Sequence, residues 1–187
     1  DNGDPIIKRF PINLSTEKRV GFEFTLNYKP FKVWNINSDF NLFNVTTDGE
    51  YTNSATNATQ NFDFKNTAFF VRLNQKITLP GKTDLQINSN YSGASQTAQS
   101  ERDGIFSLDL AASKDLFQEK ASISISVNDV FNGIKYQGTS RIPDVLEQYS
   151  EYQRRKRQIR VSFVYRFNQK KKRDRYKQER ENDGGDF

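Results

Sequence analysis

The 187-residue chain has no cysteine, no histidine and no methionine. Without thiols or imidazoles there is no disulfide framework, no zinc site of the usual ligands, and no Ser-His or Cys-His relay. The carboxylates are scattered along the chain, and no pair is set by spacing alone for acid–base work. The expectation is therefore a protein that is not an enzyme and carries no cofactor and no metal. No segment approaches the roughly 18 consecutive apolar residues of a membrane-spanning helix. The opening Asp1-Asn2-Gly3-Asp4 is neither basic nor apolar, unlike a leader peptide. With the initiator methionine also missing, the expectation is a processed chain or part of a longer one.

What is present is unevenly spread. Between Arg154 and Arg180 stand thirteen Lys/Arg and two Asp/Glu, while the rest of the chain holds fifteen positive and twenty-one negative charges. The net charge of +5 thus describes one end of the chain and not its whole surface. Lys170-Lys171-Lys172-Arg173 reads as a solvated tail over 169–187. No RNA-binding aromatic signature or helix-turn-helix spacing accompanies it, so no nucleic-acid partner is expected.

The dominant pattern has period two, as expected when successive side chains face opposite sides of a sheet. Val20, Phe22, Phe24, Leu26 and Tyr28 alternate with Gly21, Glu23, Thr25 and Asn27. Six further segments follow: Trp34 to Leu42, Phe69 to Leu79, Leu85 to Tyr91, Phe106 to Ala112, Ala121 to Val127, and Ile159 to Phe167. Each is about ten residues, the length of a tilted membrane-crossing strand. Helix periodicity is nearly absent; Val145-Leu146 with Tyr149 and Tyr152 hints at one short helix.

Short and long links alternate between these strands. Lys29–Lys32, Pro80–Lys82 and Ser113–Glu119 are short, and two of them contain the Pro and Gly that tight turns prefer. The links from Thr46 to Asn66, Gly93 to Asp103 and Asn132 to about Lys156 are long and polar. An outer-membrane barrel has this alternation, with short turns on the periplasmic rim and long surface loops on the other. Tyr28, Phe31, Trp34, Phe117, Tyr165 and Phe167 all gather near the short turns, where amphipathic rings form a girdle at the membrane–water interface. The low apolar content, 34% with 13% aromatic, suits strands that need only one apolar face. The fold class is accordingly all-β, an antiparallel transmembrane β-barrel over residues 1–168. Seven strands are an odd number, and residues from Asp1 to about Ile7 read as the tail of a surface loop. An open seven-stranded sheet would leave unpaired edges that hydrocarbon does not tolerate, so the expectation is the closing portion of a larger barrel.

Certain residues match a known family. Lys114-Asp115-Leu116-Phe117, followed by Ala121-Ser122-Ile123-Ser124-Ile125-Ser126-Val127-Asn128-Asp129-Val130-Phe131-Asn132, resembles the penultimate strand of TonB-dependent outer-membrane receptors from Bacteroidota. Arg157-Gln158-Ile159-Arg160-Val161-Ser162-Phe163-Val164-Tyr165-Arg166-Phe167-Asn168 is similar to their last strand. Asn13-Leu14-Ser15 with Gly21-Phe22-Glu23-Phe24 is similar to a strand further upstream. The resemblance implies a 22-stranded barrel filled by an N-terminal plug, importing a scarce nutrient with energy delivered by TonB. The seven strands would then be the last seven, with a periplasmic tail over 169–187. The plug, the TonB-contacting box and the first fifteen or so strands are absent from this sequence, so transport rests on the family.

In this phase Arg72, Lys76, Arg160 and Arg166 face the lumen, where they pack against a plug or guide an anionic substrate. The surface links are where ligand contact is expected, with Tyr51, Tyr136, Tyr149 and Tyr152 as rings for a sugar or chelator. Expected partners are outer-membrane lipid, the rest of the barrel and its plug, TonB, and a surface lipoprotein or larger envelope complex. Two other readings stay open: a structural or assembly subunit that keeps the barrel but not transport, and a soluble secreted β-sandwich that binds through its loops.

Overall fold

A computed structural model describes residues 13, 16–54, 57, 59–142 and 146–167. The leading loop segment and the basic tail expected from the sequence lie outside the described residues. In chain order the strands are β1 (Thr16–Phe31), β2 (Trp34–Asp48), β3 (Glu50–Thr52), β4 (Thr59–Asn61), β5 (Phe64–Leu79), β6 (Thr83–Ser92) and β7 (Ser95–Gln96). Then come β8 (Ser100–Arg102), β9 (Ile105–Leu116), β10 (Ala121–Asn128), β11 (Tyr136–Ile142), β12 (Leu146–Tyr152) and β13 (Gln158–Tyr165).

The seven alternating segments form one antiparallel sheet, ordered β1-β2-β5-β6-β9-β10-β13. Each strand therefore lies beside its predecessor in the wall, joined by hairpins or by longer excursions at one end. Three of the strands are much longer than the expected ten residues, β1 and β5 with 16 each and β2 with 15, and β9 has 12. The extra length is polar at the long-link end, where Thr46↔Lys65 and Thr47↔Phe64 extend the ladder beyond the apolar stretch.

The short connections have local causes. Pro30 falls inside β1, not in a turn after it, and the register between β1 and β2 shifts between Tyr28 and Phe31. Proline has no N–H to give to the ladder, so a bulge near the strand end accommodates it. Between β5 and β6, Gly81 and Lys82 both have positive φ, 76° and 56°, which is the twist a tight hairpin needs. The β9–β10 turn places Phe117, Gln118 and Glu119 successively at positive φ, a conformation that side chains other than glycine adopt at a cost. Neighbouring strands hold it there. Lys82 Nζ pairs with the Glu119 carboxylate, and Arg166 Nη1 donates to the Glu119 carbonyl at 2.9 Å.

The register aligns the apolar positions across the whole sheet. Phe24, Phe40, Val71, Tyr91 and Phe106 form one row. Tyr28, Ile36, Gln75, Ile87, Leu110, Val127 and Ile159 form another. Among the described residues nothing packs over this face. Among the described residues only Phe62 and Ala121 are buried apolar residues, while Phe22, Phe24, Ile159 and Val161 stay 58%, 55%, 69% and 65% exposed. A soluble sandwich of this length would bury its inner rows between two sheets; among the described residues no second sheet covers the seven-stranded one.

The long links are not irregular. β3 and β4 make a small hairpin above the β2–β5 pair, and β7, β8, β11 and β12 make a four-stranded sheet ordered β12-β11-β8-β7. This corrects the helix expected around Val145-Leu146. Leu146–Tyr152 is strand β12, paired throughout with β11 from Ile142↔Leu146 to Tyr136↔Tyr152. The spacing of Leu146, Tyr149 and Tyr152 is compatible with a helical face, but partner strands outside the local window supply the hydrogen bonds that decide the conformation. Val145 lies outside the described residues.

Asp63 latches the base of the β3–β4 hairpin. Its carboxylate accepts the Gly49 N–H at 3.0 Å and Asn61 Nδ2 at 3.0 Å. The Gly49 backbone bond, followed by the Asn61 bond, holds its pKa below the ordinary carboxylate value. A depressed folded-state value means that the latch contributes at pH above the unfolded value and is lost as pH falls through the folded one. Pepsin cleavage within the hairpin, normalised to a free peptide of the same sequence, should rise only below about pH 4. Asp63→Ala should show that higher cleavage already at the upper end of the range.

Candidate functional site: a two-faced wall and its outer loops

Opposite the apolar face, the same register aligns the polar positions. Thr25, Asp39, Arg72, Asn90 and Ser107 share one row, and Asn27, Asn37, Asn74, Asn88 and Asp109 the next. Side chains link across the strands: Thr25 Oγ1 donates to Asp39 Oδ1 at 3.1 Å, Arg72 Nε to Asn90 Oδ1 at 3.2 Å, and Asn90 Nδ2 to Ser107 Oγ at 3.4 Å. Lower on the face, Lys76 pairs with Asp84 at 2.9 Å and Thr78 Oγ1 donates to Asp84 at 2.7 Å. These bonds satisfy neighbouring polar groups while leaving the face hydrophilic.

Three of the four cations expected on this face, Arg72, Lys76 and Arg160, occupy its rows. Arg166 follows β13 at the short-turn rim, where Nη2 donates to Ser122 Oγ at 3.2 Å, a residue of the polar face. Two rings depart from simple alternation. Phe43 and Phe70 also lie on the polar face, opposite Gly21 and Ser92 respectively. Arg19 stands over the Phe43 ring at 5.1 Å and Arg72 over the Phe70 ring at 5.3 Å, cation–π contacts that give each ring a polar cover. Gly21 is needed beside Phe43, since a Cβ there would lie 2.6 Å from the Phe43 Cα and Cβ.

The aromatics of the apolar face collect towards its two ends. At the short-turn end Phe31 stacks on Trp34 at 6.4 Å, Tyr165 meets Phe167 at 4.6 Å, and Phe117 is exposed in its turn. Tyr28 lies one register position above Trp34. At the long-link end Phe69 meets Tyr91 at 5.4 Å and Phe106 stacks on Phe131 at 6.2 Å. Phe69 to Leu79 on β5, and Phe106 to Leu116 on β9, are each eleven residues, or ten steps along the strand. At about 3.3 Å per residue and a tilt near 40°, that length rises about 25 Å, the height of the apolar band of an outer-membrane barrel.

The four loop tyrosines do not converge. Tyr51 belongs to the β3–β4 hairpin, while the other three belong to the four-stranded loop sheet. Within that sheet Tyr136 and Tyr152 face each other at 6.4 Å, whereas Tyr149, paired with Thr139, points to the opposite side. There Gln137 Nε2 donates to Tyr149 Oη at 3.0 Å and to Glu151 Oε2 at 2.7 Å. Arg141 lies between Glu101 at 3.5 Å and Glu147 at 3.4 Å. Alternation within β11 and β12 was the available signal for this polar cluster, hidden because the segment reads as a helix.

A buried corner carries the loop sheet. Asp129, 4% exposed and at φ 52°, follows β10 directly. Its carboxylate accepts the N–H groups of Gly133 at 2.8 Å and Ile134 at 3.1 Å, and its own N–H donates to Asp109 Oδ1 at 2.8 Å. Gly133 passes so close to β9 that a Cβ would come within 2.2 Å of the Phe106 carbonyl oxygen. Asn128-Asp129-Val130-Phe131-Asn132, singled out above only as part of a resemblance, is thus the device that turns the chain from the wall into its longest loop.

One sheet with an uncovered apolar face about 25 Å high, aromatic ends and an opposed polar ladder defines the wall of a membrane β-barrel. The sequence matches the outer membrane protein beta-barrel family over residues 1–165. The chain belongs to that family and is an outer-membrane protein. Comparison with curated proteins and with solved structures finds no match in either.

Proposed function

We propose that this chain is part of the wall of a TonB-dependent outer-membrane receptor that imports a nutrient of siderophore, glycan or peptide class. The apolar face meets lipid, and the polar ladder with Arg72, Lys76, Arg160 and Arg166 lines a lumen filled by a plug. The observation that carries the reading is a sheet whose two outer strands, β1 and β13, have no partner along their outer edges among the described residues. Hydrocarbon does not tolerate such edges, so further strands pair with them. Seven antiparallel strands leave β1 and β13 running the same way, so an all-antiparallel closure adds an odd number of strands. The resemblance of the last two strands to TonB-dependent receptors, whose barrels have 22, supports the transport assignment and a Bacteroidota source. No chemistry is assigned to the wall itself; it is a scaffold and conduit, not an enzyme, and the tail over 169–187 is periplasmic.

These 187 residues contain no cysteine, so introduced thiols test the wall once any thiol elsewhere in the full-length protein is replaced. Single cysteines in the full-length protein at Val71, Leu73 and Leu108 should resist a membrane-impermeant maleimide, and those at Arg72, Asn74 and Ser107 should react after detergent loosens the plug. Equal reactivity in both sets would remove the barrel assignment. Transport is a separate question. Uptake of the cognate nutrient that persists undiminished without TonB would leave a structural or assembly barrel as the better reading.

A further inference from the structure

The basic residues that look like one cluster in sequence are divided by β13. Arg154, Arg155, Lys156 and Arg157 precede that strand at the long-link end, whereas Arg166 follows it at the short-turn end. The first group forms a short bow pinned at both sides on one residue. Gln153 Nε2 donates to the Asn132 carbonyl at 3.5 Å, and the Arg157 N–H donates to Asn132 Oδ1. Arg157 Nη1 also donates to the Val130 carbonyl at 3.1 Å. Arg154, Arg155 and Lys156 are exposed between these anchors, and none forms an ion pair among the described residues. No Asp or Glu occurs from Gln153 to Phe167, and the nearest acid in sequence, Glu151, is engaged by Gln137. Directly below, Ile159 and Val161 present the apolar face, and the Tyr136–Tyr152 pair stands immediately before the bow.

We infer that this bow is a docking site for the phosphorylated headgroup of an outer-leaflet glycolipid. Three cations with no ion pair among the described residues stand at the upper margin of an apolar band and meet the plane of lipid phosphates, while Ile159 and Val161 lie against the acyl chains. Tyrosines at that depth suit the headgroup region. Pinning both ends of the bow keeps the cations at the rim, so less chain ordering opposes binding. Basic residues near an anionic lipid surface each strengthen binding several-fold. The inference rests on the barrel reading and on the long links facing outward.

The test uses full-length protein extracted from outer membranes, delipidated, and titrated with lipid A, with phosphatidylcholine and with inorganic phosphate, read by native mass spectrometry. Wild type should bind lipid A and not phosphatidylcholine, and millimolar inorganic phosphate should not displace it. R154Q/R155Q/K156Q should weaken lipid A binding about tenfold or more, while R154K/R155K keeps it. Neutralising Lys170, Lys171, Lys172 and Arg173 together should leave it unchanged. If the triple variant does not assemble, Arg155→Gln alone should weaken binding about threefold. Undiminished binding in the bow variants, equal loss in the tail variant, or displacement by inorganic phosphate would each overturn the inference. Absence of the wild-type protein from the outer membrane would instead overturn the barrel reading.

Discussion

Asp129→Ala should cost the folded protein about 3–5 kcal/mol, because two hydrogen bonds to a carboxylate are lost and each is worth about 1.5–3 kcal/mol. The Gly133 and Ile134 N–H groups that Asp129 now satisfies would be left beside a methyl group in a corner where the wild-type residue is 4% exposed. Asp129→Asn keeps one acceptor oxygen but turns an NH2 group towards one of those N–H donors. It should lose roughly half as much. Gly133→Ala should be as damaging as Asp129→Ala for a different reason, since the new Cβ would come within 2.2 Å of the Phe106 carbonyl oxygen and the backbone must move. The measurement is the denaturant midpoint of the full-length protein in lipid vesicles, with its level in the outer membrane alongside. A wild-type midpoint for Asp129→Ala would mean that the corner is held by β9 and β10 alone. Because Asn132 hangs from the same corner and anchors the basic bow, Asp129→Ala should also loosen the loop sheet, read as faster amide exchange across β11 and β12.

The second large effect concerns adjacent residues. Leu73 lies on the apolar face, in register with Ser38 and Ser89, near the middle of the band between Phe69 and Leu79. Leu73→Arg places a guanidinium at the depth where lipid-facing arginine costs about 2–4 kcal/mol. Asn74, one residue on, faces the other way between Asn37 and Asn88. Asn74→Arg should therefore change stability by less than about 1 kcal/mol, the range of substitutions on a hydrated polar face. Paired unfolding curves in vesicles test both. Equal losses would mean that the two faces meet similar surroundings. A larger loss at Asn74 would mean that lipid and lumen had been assigned to the wrong sides, since a slip of one residue exchanges every side chain.

Asn44 and Thr67, which share a row with Val20 on the apolar face, mark where that face ends. Asn44 Nδ2 donates to Thr67 Oγ1 at 3.1 Å, so the polar pair satisfies itself at the upper margin of the band. The same boundary stands in the sequence, where Phe24, Phe22 and Val20 give way at the next position on that face to Lys18.

Alternation was enough to locate the seven strands of the wall, because period two is a local property of extended chain and each strand needs one apolar side. Adjacency across the three short links followed from their length, whereas across the three long links only the ladders β2-β5, β6-β9 and β10-β13 decide it. The positions of Arg72, Lys76 and Arg160 on one face followed from the same phase. Phe43 and Phe70 were not legible in this way. Their place on the polar face depends on Gly21 across the sheet and on the arginines that cover them, contacts a single strand does not contain.

The loops show the same division more sharply. Leu146–Tyr152 has a spacing that a helix shares, and only pairing with β11 makes it a strand. Asp129 and Gly133 became a buried corner through β9, which contributes Asp109 and the Phe106 carbonyl. The basic stretch had one charge in sequence and two locations in space. By itself the sequence determined the wall, its two faces and the absence of thiol or imidazole chemistry, since all of these follow from composition and nearest-neighbour geometry. Only the tertiary structure decided which loops pair, what the corner holds and which cations stand at which rim, because those depend on segments far apart in the chain meeting across the sheet.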